Sequence, residues 1–247
     1  MNHEKIINHY DSVDPAKKVA FSKEKLFNSF LKKMVKNEYR NSSILDIGCG
    51  AGYFLKKAQG VGFDPYGIEI SAALSKEANS ILKGNQVFAG KLGQAAINDC
   101  SIDIITIWDT LFHCVNPYDE LKECHRILKR GGTIAIRVRN VSFQKAIRMV
   151  YKRFYLIASK LNIKDPSVFH SYCFSRKSIE ILLSRLGFRQ VSIVNSPLST
   201  GDPYGYSDLA DFTKIAKNAA SLLQKIFFKV SDGRWIIGPS LLVMAKK

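Results

Sequence analysis

The stretch Ser43-Ile-Leu-Asp-Ile-Gly48-Cys-Gly50-Ala-Gly52 decides the fold, because an apolar run ends there in three closely spaced glycines. A short apolar run followed by a glycine turn and a helix-like segment at 53–58 predicts a strand, a turn and a helix. Glycines let backbone N–H groups and the helix N-terminus approach a ligand closely. The stretch therefore predicts a ligand-binding turn at the end of a strand.

The rest of the chain repeats this alternation of short apolar runs and helical patterns. Further strands are predicted at 67–70, 86–89, 102–108, 133–138, 191–194 and 241–245, and further helices at 72–79, 117–128 and 175–185. Strands alternating with helices at this spacing predict a parallel, doubly wound α/β fold. The last two strands are expected to pair at the edge of the sheet.

Two acids accompany the glycine turn. Asp46 stands just before it, and Glu69 ends the second predicted strand. A carboxylate at the position of Glu69 would accept hydrogen bonds from two ribose hydroxyls, so the pattern favours a cofactor that carries a nucleoside. A phosphate-binding P-loop is excluded because no Lys-Ser or Lys-Thr follows, and the third glycine of a dinucleotide fingerprint would fall at Tyr53.

These motifs resemble a known family. Ile-Leu-Asp-Ile-Gly-Cys-Gly-Ala-Gly at 44–52 resembles the first motif of class I S-adenosylmethionine-dependent methyltransferases, and Gly-Phe-Asp-Pro-Tyr-Gly-Ile-Glu-Ile-Ser at 62–71 is similar to their second. Residues 101–113 and 121–132 resemble the family around strands four and five. The resemblance implies a Rossmann-like, mostly parallel seven-stranded sheet with helices on both faces and an antiparallel edge strand.

A single methyltransferase domain is expected over 1–247, in four parts. These are a helical N-terminal cap at 1–43, a cofactor-binding core at 44–140, a basic amphipathic insertion that covers substrate at 141–174, and the C-terminal part of the core at 175–247. The cap is expected to contain an amphipathic helix, because Phe27, Phe30, Leu31 and Met34 recur at helical spacing.

The resemblance implies S-adenosylmethionine as methyl donor, with S-adenosylhomocysteine as product. The glycine turn would face the methionine moiety, the second strand would hold ribose and adenine, the residues after the third strand would lie near the adenine, and the end of the fourth would line the methyl-transfer site. The implied cofactor-binding residues are Asp46, Gly48, Gly50, Gly52, Glu69, Ile70, Lys91, Leu92, Trp108 and Asp109.

The chain departs from the family pattern at two places. Gly90-Lys91-Leu92 stands where relatives often carry an acid after the third strand, so adenine recognition is expected to rest on backbone groups and packing. Phe112-His113 stands where relatives often have Glu-His. If that glutamate is catalytic in them, this chain lacks it.

Methyl transfer is an in-line displacement for which a protein mainly supplies proximity and alignment. A hydroxyl acceptor would gain from a general base, and histidine suits neutral pH. The candidates are His113, which could equally be a packing residue, and His170, which could be a loop or capping residue.

The predicted activity is O-methylation of a small-molecule, sugar or lipid-like metabolite, for example a quinone precursor. The alternatives are an RNA or protein methyltransferase, or a non-catalytic S-adenosylmethionine-binding or membrane-docked protein.

The formal net charge is +16, and residues 122–189 hold 16 Lys and Arg against three acids, a net of +13. Two basic amphipathic stretches, at 141–161 and 212–230, could pack onto the sheet with solvated lysines. They could instead dock on anionic lipid or recognise the phosphate of a lipid-linked or sugar-nucleotide acceptor. Nucleic acid is less favoured as a partner, because no Asn/Asp-Pro-Pro-Tyr-like element follows the fourth strand.

Other totals argue against several protein classes. No apolar run approaches the roughly 18 residues of a membrane span, and the N-terminus lacks the apolar centre of a signal peptide. The five cysteines are scattered, without CxxC or zinc spacing, so reduced thiols and no metal site are expected. The predicted location is cytoplasmic, with peripheral membrane contact as an option.

Overall fold

A single seven-stranded sheet organises the protein, as seen in a computed structural model that describes residues 21–37, 39, 41–84, 86–160, 171–199, 226, 229–231 and 236–247. The strands run in the order β3-β2-β1-β4-β5-β7-β6. Their bounds are β1 Ser43–Ile47, β2 Asp64–Glu69, β3 Val87–Ala89, β4 Ile102–Trp108, β5 Leu128–Arg139, β6 Arg189–Asn195 and β7 Ser240–Lys246.

Seven α-helices are found in the described part of the chain. They are α1 Glu24–Lys36, α2 Tyr53–Gly60, α3 Ala72–Ile81, α4 Pro117–Ile127, α5 Val141–Arg153, α6 Tyr155–Lys160 and α7 Arg176–Arg185. Helix starts follow local sequence: the side chains of Ser71, Asn116 and Ser175 accept hydrogen bonds from backbone N–H groups in the first turns of α3, α4 and α7.

The pairing of the strands is parallel from β3 to β5. Strand β7 runs antiparallel to both of its neighbours, β5 and β6, so the strand at this edge of the sheet is paired antiparallel. The predicted Rossmann-like fold class is therefore confirmed. Strand β1 lies between β2 and β4, which places the carboxyl ends of all three side by side.

Alternating strand residues divide the core between the two faces of the sheet. On one face Leu45 and Ile105 join a cluster with residues of α4 and α7. On the other, Ile44 and Ile104 pack with α1, α2 and α3. Helix α1 buries the predicted apolar stripe and one further residue: Leu26, Phe27, Phe30, Leu31 and Met34. Helices thus cover both faces, as expected for strands buried on both sides.

The insertion between β5 and α7 leaves the sheet and returns to it at one place. The backbone N–H of Val141 donates to the carbonyl of Phe174, and Asn140 bridges to Phe174. The buried Asn140 side chain donates to the carbonyls of Ile236 and Gly238 at 3.1 and 2.9 Å, and accepts from the N–H of Ser142. Helices α5 and α6 therefore start from a fixed anchor.

The apolar face predicted for the insertion is only partly covered. Phe143 and Ile147 are half-buried, whereas Val150, Phe154 and Ile157 are exposed. The first half of α5 is thus partly covered, whereas its second half and α6 are mostly open to solvent. Leu161 lies outside the described residues, as does most of the second basic stretch at 212–230.

Acids of α4 and of the segments next to it pair with part of the basic segment. Arg126 pairs with Asp99 and Glu123, Lys129 with Asp103. The charge surplus seen in the sequence is therefore smaller at the sheet than in the insertion. Within the described residues, no helix combines the length and apolar composition needed to cross a bilayer. All five cysteines lie in this part and none forms a disulfide.

Candidate functional site

The three glycines after β1 all adopt positive φ values, but for different reasons. A Cβ on Gly48 would lie 2.3 Å from the Thr110 hydroxyl, and one on Gly52 would lie 2.9 Å from the Cβ of Ala78. At Gly50 a Cβ would meet no described atom within 4 Å. Gly48 and Gly52 are thus required by packing, while Gly50 leaves open space next to the backbone.

Glu69 joins β2 to the glycine turn. Its buried carboxylate accepts from the backbone N–H of Gly50 at 2.8 Å and from that of Ser71 at 2.9 Å. The N–H groups of Gly48 and Cys49 both donate to the carbonyl of Ile68, which fixes the turn against β2. A negative charge therefore stands at a fixed position beside the open space at Gly50.

Asp46 lies beneath the turn and is almost fully buried. Its Oδ1 accepts a hydrogen bond of 2.7 Å from the hydroxyl of Thr106 on β4. Burial raises the pKa of Asp46 to about 8, against the opposing effects of Thr106 and of the positive charge of Lys23, and with a further rise from Glu69. The carboxyl group of Asp46 is therefore mainly protonated at neutral pH.

This pKa makes a prediction about stability. Folded Asp46 keeps its proton up to about pH 8, whereas the unfolded chain loses it near 3.8, so the free energy of unfolding falls as pH rises between these values. Asp46→Asn keeps the acceptor for Thr106 and removes the titration. We expect its stability advantage over the unmodified protein to grow by up to about 1.4 kcal/mol per pH unit from about pH 5 to about pH 7. Urea unfolding at several pH values measures this, and parallel pH profiles would contradict it.

Asp109, directly after β4, is the centre of a buried ion cluster. It has a positive φ of 58°. Its Oδ2 pairs with Lys23 at 2.8 Å and with Arg137 of β5. Although burial opposes ionisation, the charges of Arg137, Lys23 and Arg139 hold the pKa of Asp109 well below its usual range. The cations outnumber the acid, so this corner of the site carries positive charge.

Two of the expected cofactor residues have side chains that point into the core. Trp108 packs against Phe27, Phe30 and Phe54, with ring centroids 5.2 to 5.8 Å apart. Its side chain therefore fixes α1 to the sheet rather than lining an open site. Leu92 is also buried in the core. By contrast, Ile70 is 44% exposed and Lys91 is exposed, as contact with a ligand would require.

Of the two candidate bases, His113 lies at the same sheet edge. It ends a short 3-10 turn, Leu111–His113, and is half-buried. Its ring is tilted by 58° against that of Phe112, with the ring centroids 4.5 Å apart. The hydroxyl of Tyr172 donates to the carbonyl of Val115, which brings the end of the insertion next to this turn. His170 lies outside the described residues.

A family model for a methyltransferase domain matches residues 20–193 of this arrangement. The chain belongs to the methyltransferase domain family. The predicted superfamily is thereby confirmed. The matched range includes α1, the glycine turn, the Asp109 cluster and the insertion, so the whole candidate site lies within the methyltransferase domain.

Among curated proteins the methyltransferase domain is similar to a ubiquinone biosynthesis O-methyltransferase of Glaesserella parasuis. The two are 30% identical over 106 residues, which are 39% of this chain and 45% of that protein. A ubiquinone biosynthesis O-methyltransferase of Thiobacillus denitrificans is 27% identical over 119 residues, 46% of this chain and 51% of that one. The chain thus spans about half the length of these curated relatives.

Solved structures share the fold over most of the chain. A methyltransferase of Thermotoga maritima superposes with a TM-score of 0.58 at 18% identity, covering 96% of this chain and 97% of that one. A geranyl diphosphate C-methyltransferase of Streptomyces coelicolor, solved with Mg²⁺, geranyl diphosphate and S-adenosylhomocysteine, gives 0.57 at 16% identity, covering 90% and 80%. At these identities the likeness establishes the fold.

Sequence reasoning missed the residues that complete the site from other elements. Lys23 and Arg137 are buried partners of Asp109, and Arg137 also donates to the hydroxyls of Ser196 and Ser199. Thr110 packs on Gly48. An arginine inside the otherwise apolar strand 133–138 was the available signal for Arg137, because buried strands rarely carry an unpaired charge.

Proposed function

We propose that the methyltransferase domain moves a methyl group from S-adenosylmethionine to an oxygen of a small, lipid-like hydroxyl compound. The observation that carries the proposal is the hydrogen bond from the N–H of Gly50 to the buried Glu69 carboxylate. The space next to Gly50 is open, since a Cβ there would meet no described atom within 4 Å. This combination suits a ribose held by a carboxylate, with the rest of the cofactor along the glycine turn.

Several features of the site fit this cofactor. The exposed Ile70 offers an apolar surface for an adenine ring. Asp109 Oδ1 is buried and accepts no hydrogen bond from the described residues, so this carboxylate has an acceptor that the described protein does not use. S-adenosylmethionine, when bound, supplies a methyl group activated by a sulfonium. The chain's residues then have to hold the acceptor oxygen in line and exclude water.

The proposed acceptor is a hydroxyl compound with anionic character. His113 lies at the carboxyl edge of the sheet, where an imidazole would take the hydroxyl proton as oxygen attacks the methyl carbon. The surplus of positive charge around Asp109 favours an acceptor with negative charge. The names of the curated relatives support oxygen as the methylated atom, since they describe ubiquinone biosynthesis O-methyltransferases.

Methyl transfer is tested with isotope-labelled S-adenosylmethionine and separate metabolite, lipid and RNA fractions. We expect label in an organic-soluble product that carries an O-methyl group. His113→Gln should lower kcat by about 100-fold or more while the affinity for S-adenosylhomocysteine stays unchanged. Label found only in RNA or protein would overturn the acceptor class. Failure to bind S-adenosylhomocysteine in calorimetry would overturn the proposal as a whole.

A further inference from the structure

The junction of α5 and α6 exposes a cluster of large apolar side chains. Their exposed fractions lie between 54% and 77%, so more than half of each side chain is open to solvent. The cluster consists of Met149, Val150, Phe154, Tyr155, Leu156 and Ile157. Contiguous apolar exposure of this kind marks an interaction surface.

Cations surround this apolar cluster. Lys145, Lys152, Arg153 and Lys160 are exposed and form no salt bridge with any acid that the structure describes. The sequence contains no Asp or Glu between Glu123 and Asp165. This differs from α4 and β5, where Arg126 and Lys129 are paired with acids. We define the α5–α6 surface as the apolar cluster together with these four cations.

The segment that carries the α5–α6 surface is anchored where it leaves the sheet. Asn140 precedes α5 and Phe174 closes the insertion, and the two are bridged to each other at the carboxyl end of β5. Helix α5 therefore starts at the edge of the sheet that carries Asp109 and His113.

We propose that the α5–α6 surface docks the protein on an anionic lipid bilayer. The apolar side chains enter the boundary between headgroups and acyl chains, and the four cations contact lipid phosphates. The aliphatic character of Met149, Val150, Leu156 and Ile157 favours lipid over RNA, because bases stack on aromatic or guanidinium planes and not on aliphatic chains. The inference goes beyond the proposed methyl transfer and does not depend on it.

Sedimentation of the full chain with vesicles tests the proposal. Phosphatidylcholine vesicles with and without phosphatidylglycerol are compared at low and high salt. We expect binding to the anionic vesicles only, weakened by salt. Lys152→Glu/Arg153→Glu should weaken it at least about twentyfold, since each cation near an anionic surface contributes about fivefold. Leu156→Ser/Ile157→Ser should weaken it without changing the net charge.

A matched control is needed because a protein with a net charge of +16 is attracted to anionic vesicles whichever surface it presents. Lys76→Glu/Lys83→Glu makes the same charge change at exposed positions in and just after α3, which packs against β2 and β3 at the other end of the sheet. We expect this control to bind almost as well as the unmodified protein. All variants are checked for unchanged circular dichroism and melting.

Three outcomes would overturn the proposal. One is that the control pair weakens vesicle binding as much as Lys152→Glu/Arg153→Glu does, which would show that net charge alone explains the binding. Another is a dimer in light scattering that dissociates on Leu156→Ser, which would assign the surface to a second copy. The third is salt-sensitive binding to RNA in place of vesicles. If a double variant unfolds, the single Leu156→Ser change, at the most exposed position of the cluster, replaces it.

Discussion

Replacing Glu69 with alanine is expected to weaken S-adenosylhomocysteine binding by about 100-fold or more. The side chain supplies both acceptor oxygens proposed for the ribose, and hydrogen bonds to a charged group contribute about 1.5–3 kcal/mol each. The loss also leaves the N–H groups of Gly50 and Ser71 without their acceptor. Isothermal titration calorimetry measures the change in Kd directly.

Two further variants separate binding from folding at this position. Glu69→Gln keeps one carbonyl oxygen as acceptor, so we expect intermediate affinity. Glu77→Ala removes a half-buried acid from the neighbouring helix α3 and should leave Kd unchanged. Wild-type affinity in Glu69→Ala, with circular dichroism showing an intact fold, would remove Glu69 from the cofactor site.

Gly48→Ala is expected to lower the free energy of unfolding by about 3 kcal/mol or more. The left-handed backbone at φ +72° costs an alanine about 1–2 kcal/mol, and the added Cβ, 2.3 Å from the hydroxyl of Thr110, adds an overpacking cost of about 1–3 kcal/mol. Urea unfolding at neutral pH measures the difference. A loss below about 1 kcal/mol would contradict this account of the turn.

Gly50→Ala is the matched control for this substitution. Its Cβ meets no described neighbour, so we expect only the backbone cost of about 1–2 kcal/mol, but a marked loss of S-adenosylhomocysteine affinity because the methyl group enters the proposed ligand space. Thr110→Gly removes the side chain that Gly48→Ala would strike. The double variant should therefore recover part of the lost stability, and failure to recover would place the strain elsewhere.

The parts of the fold set by local pattern were predictable from the sequence. The apolar run predicts β1, the glycines predict the turn, and Glu69 lies in the same strand–helix–strand unit. The structure brings Glu69 and the turn together as expected. Trp108 illustrates the limit. It shares a strand face with Ile104, so its ring points towards α1, and an aromatic residue at a strand end does not by itself reveal that face.

The residues around Asp109 could not be predicted because their contacts are long-range. Lys23 directly precedes α1, and Arg137 lies in β5. No sequence spacing predicts that either residue contacts the end of β4. The insertion shows another limit. An amphipathic pattern fixes which side chains share a face, but it does not determine whether protein, water or lipid covers that face.

The position of β7 has a consequence for the order in which the protein acquires its structure during synthesis. Strand β6 pairs only with β7 among the described strands, and β7 fills the gap between β6 and β5. Until residues 240–246 leave the ribosome, the nascent sheet ends at β5 with unpaired backbone groups, and β6 waits without a partner. An unpaired strand edge can pair with other chains. The nascent protein is therefore prone to aggregate until β7 has paired with β5 and β6.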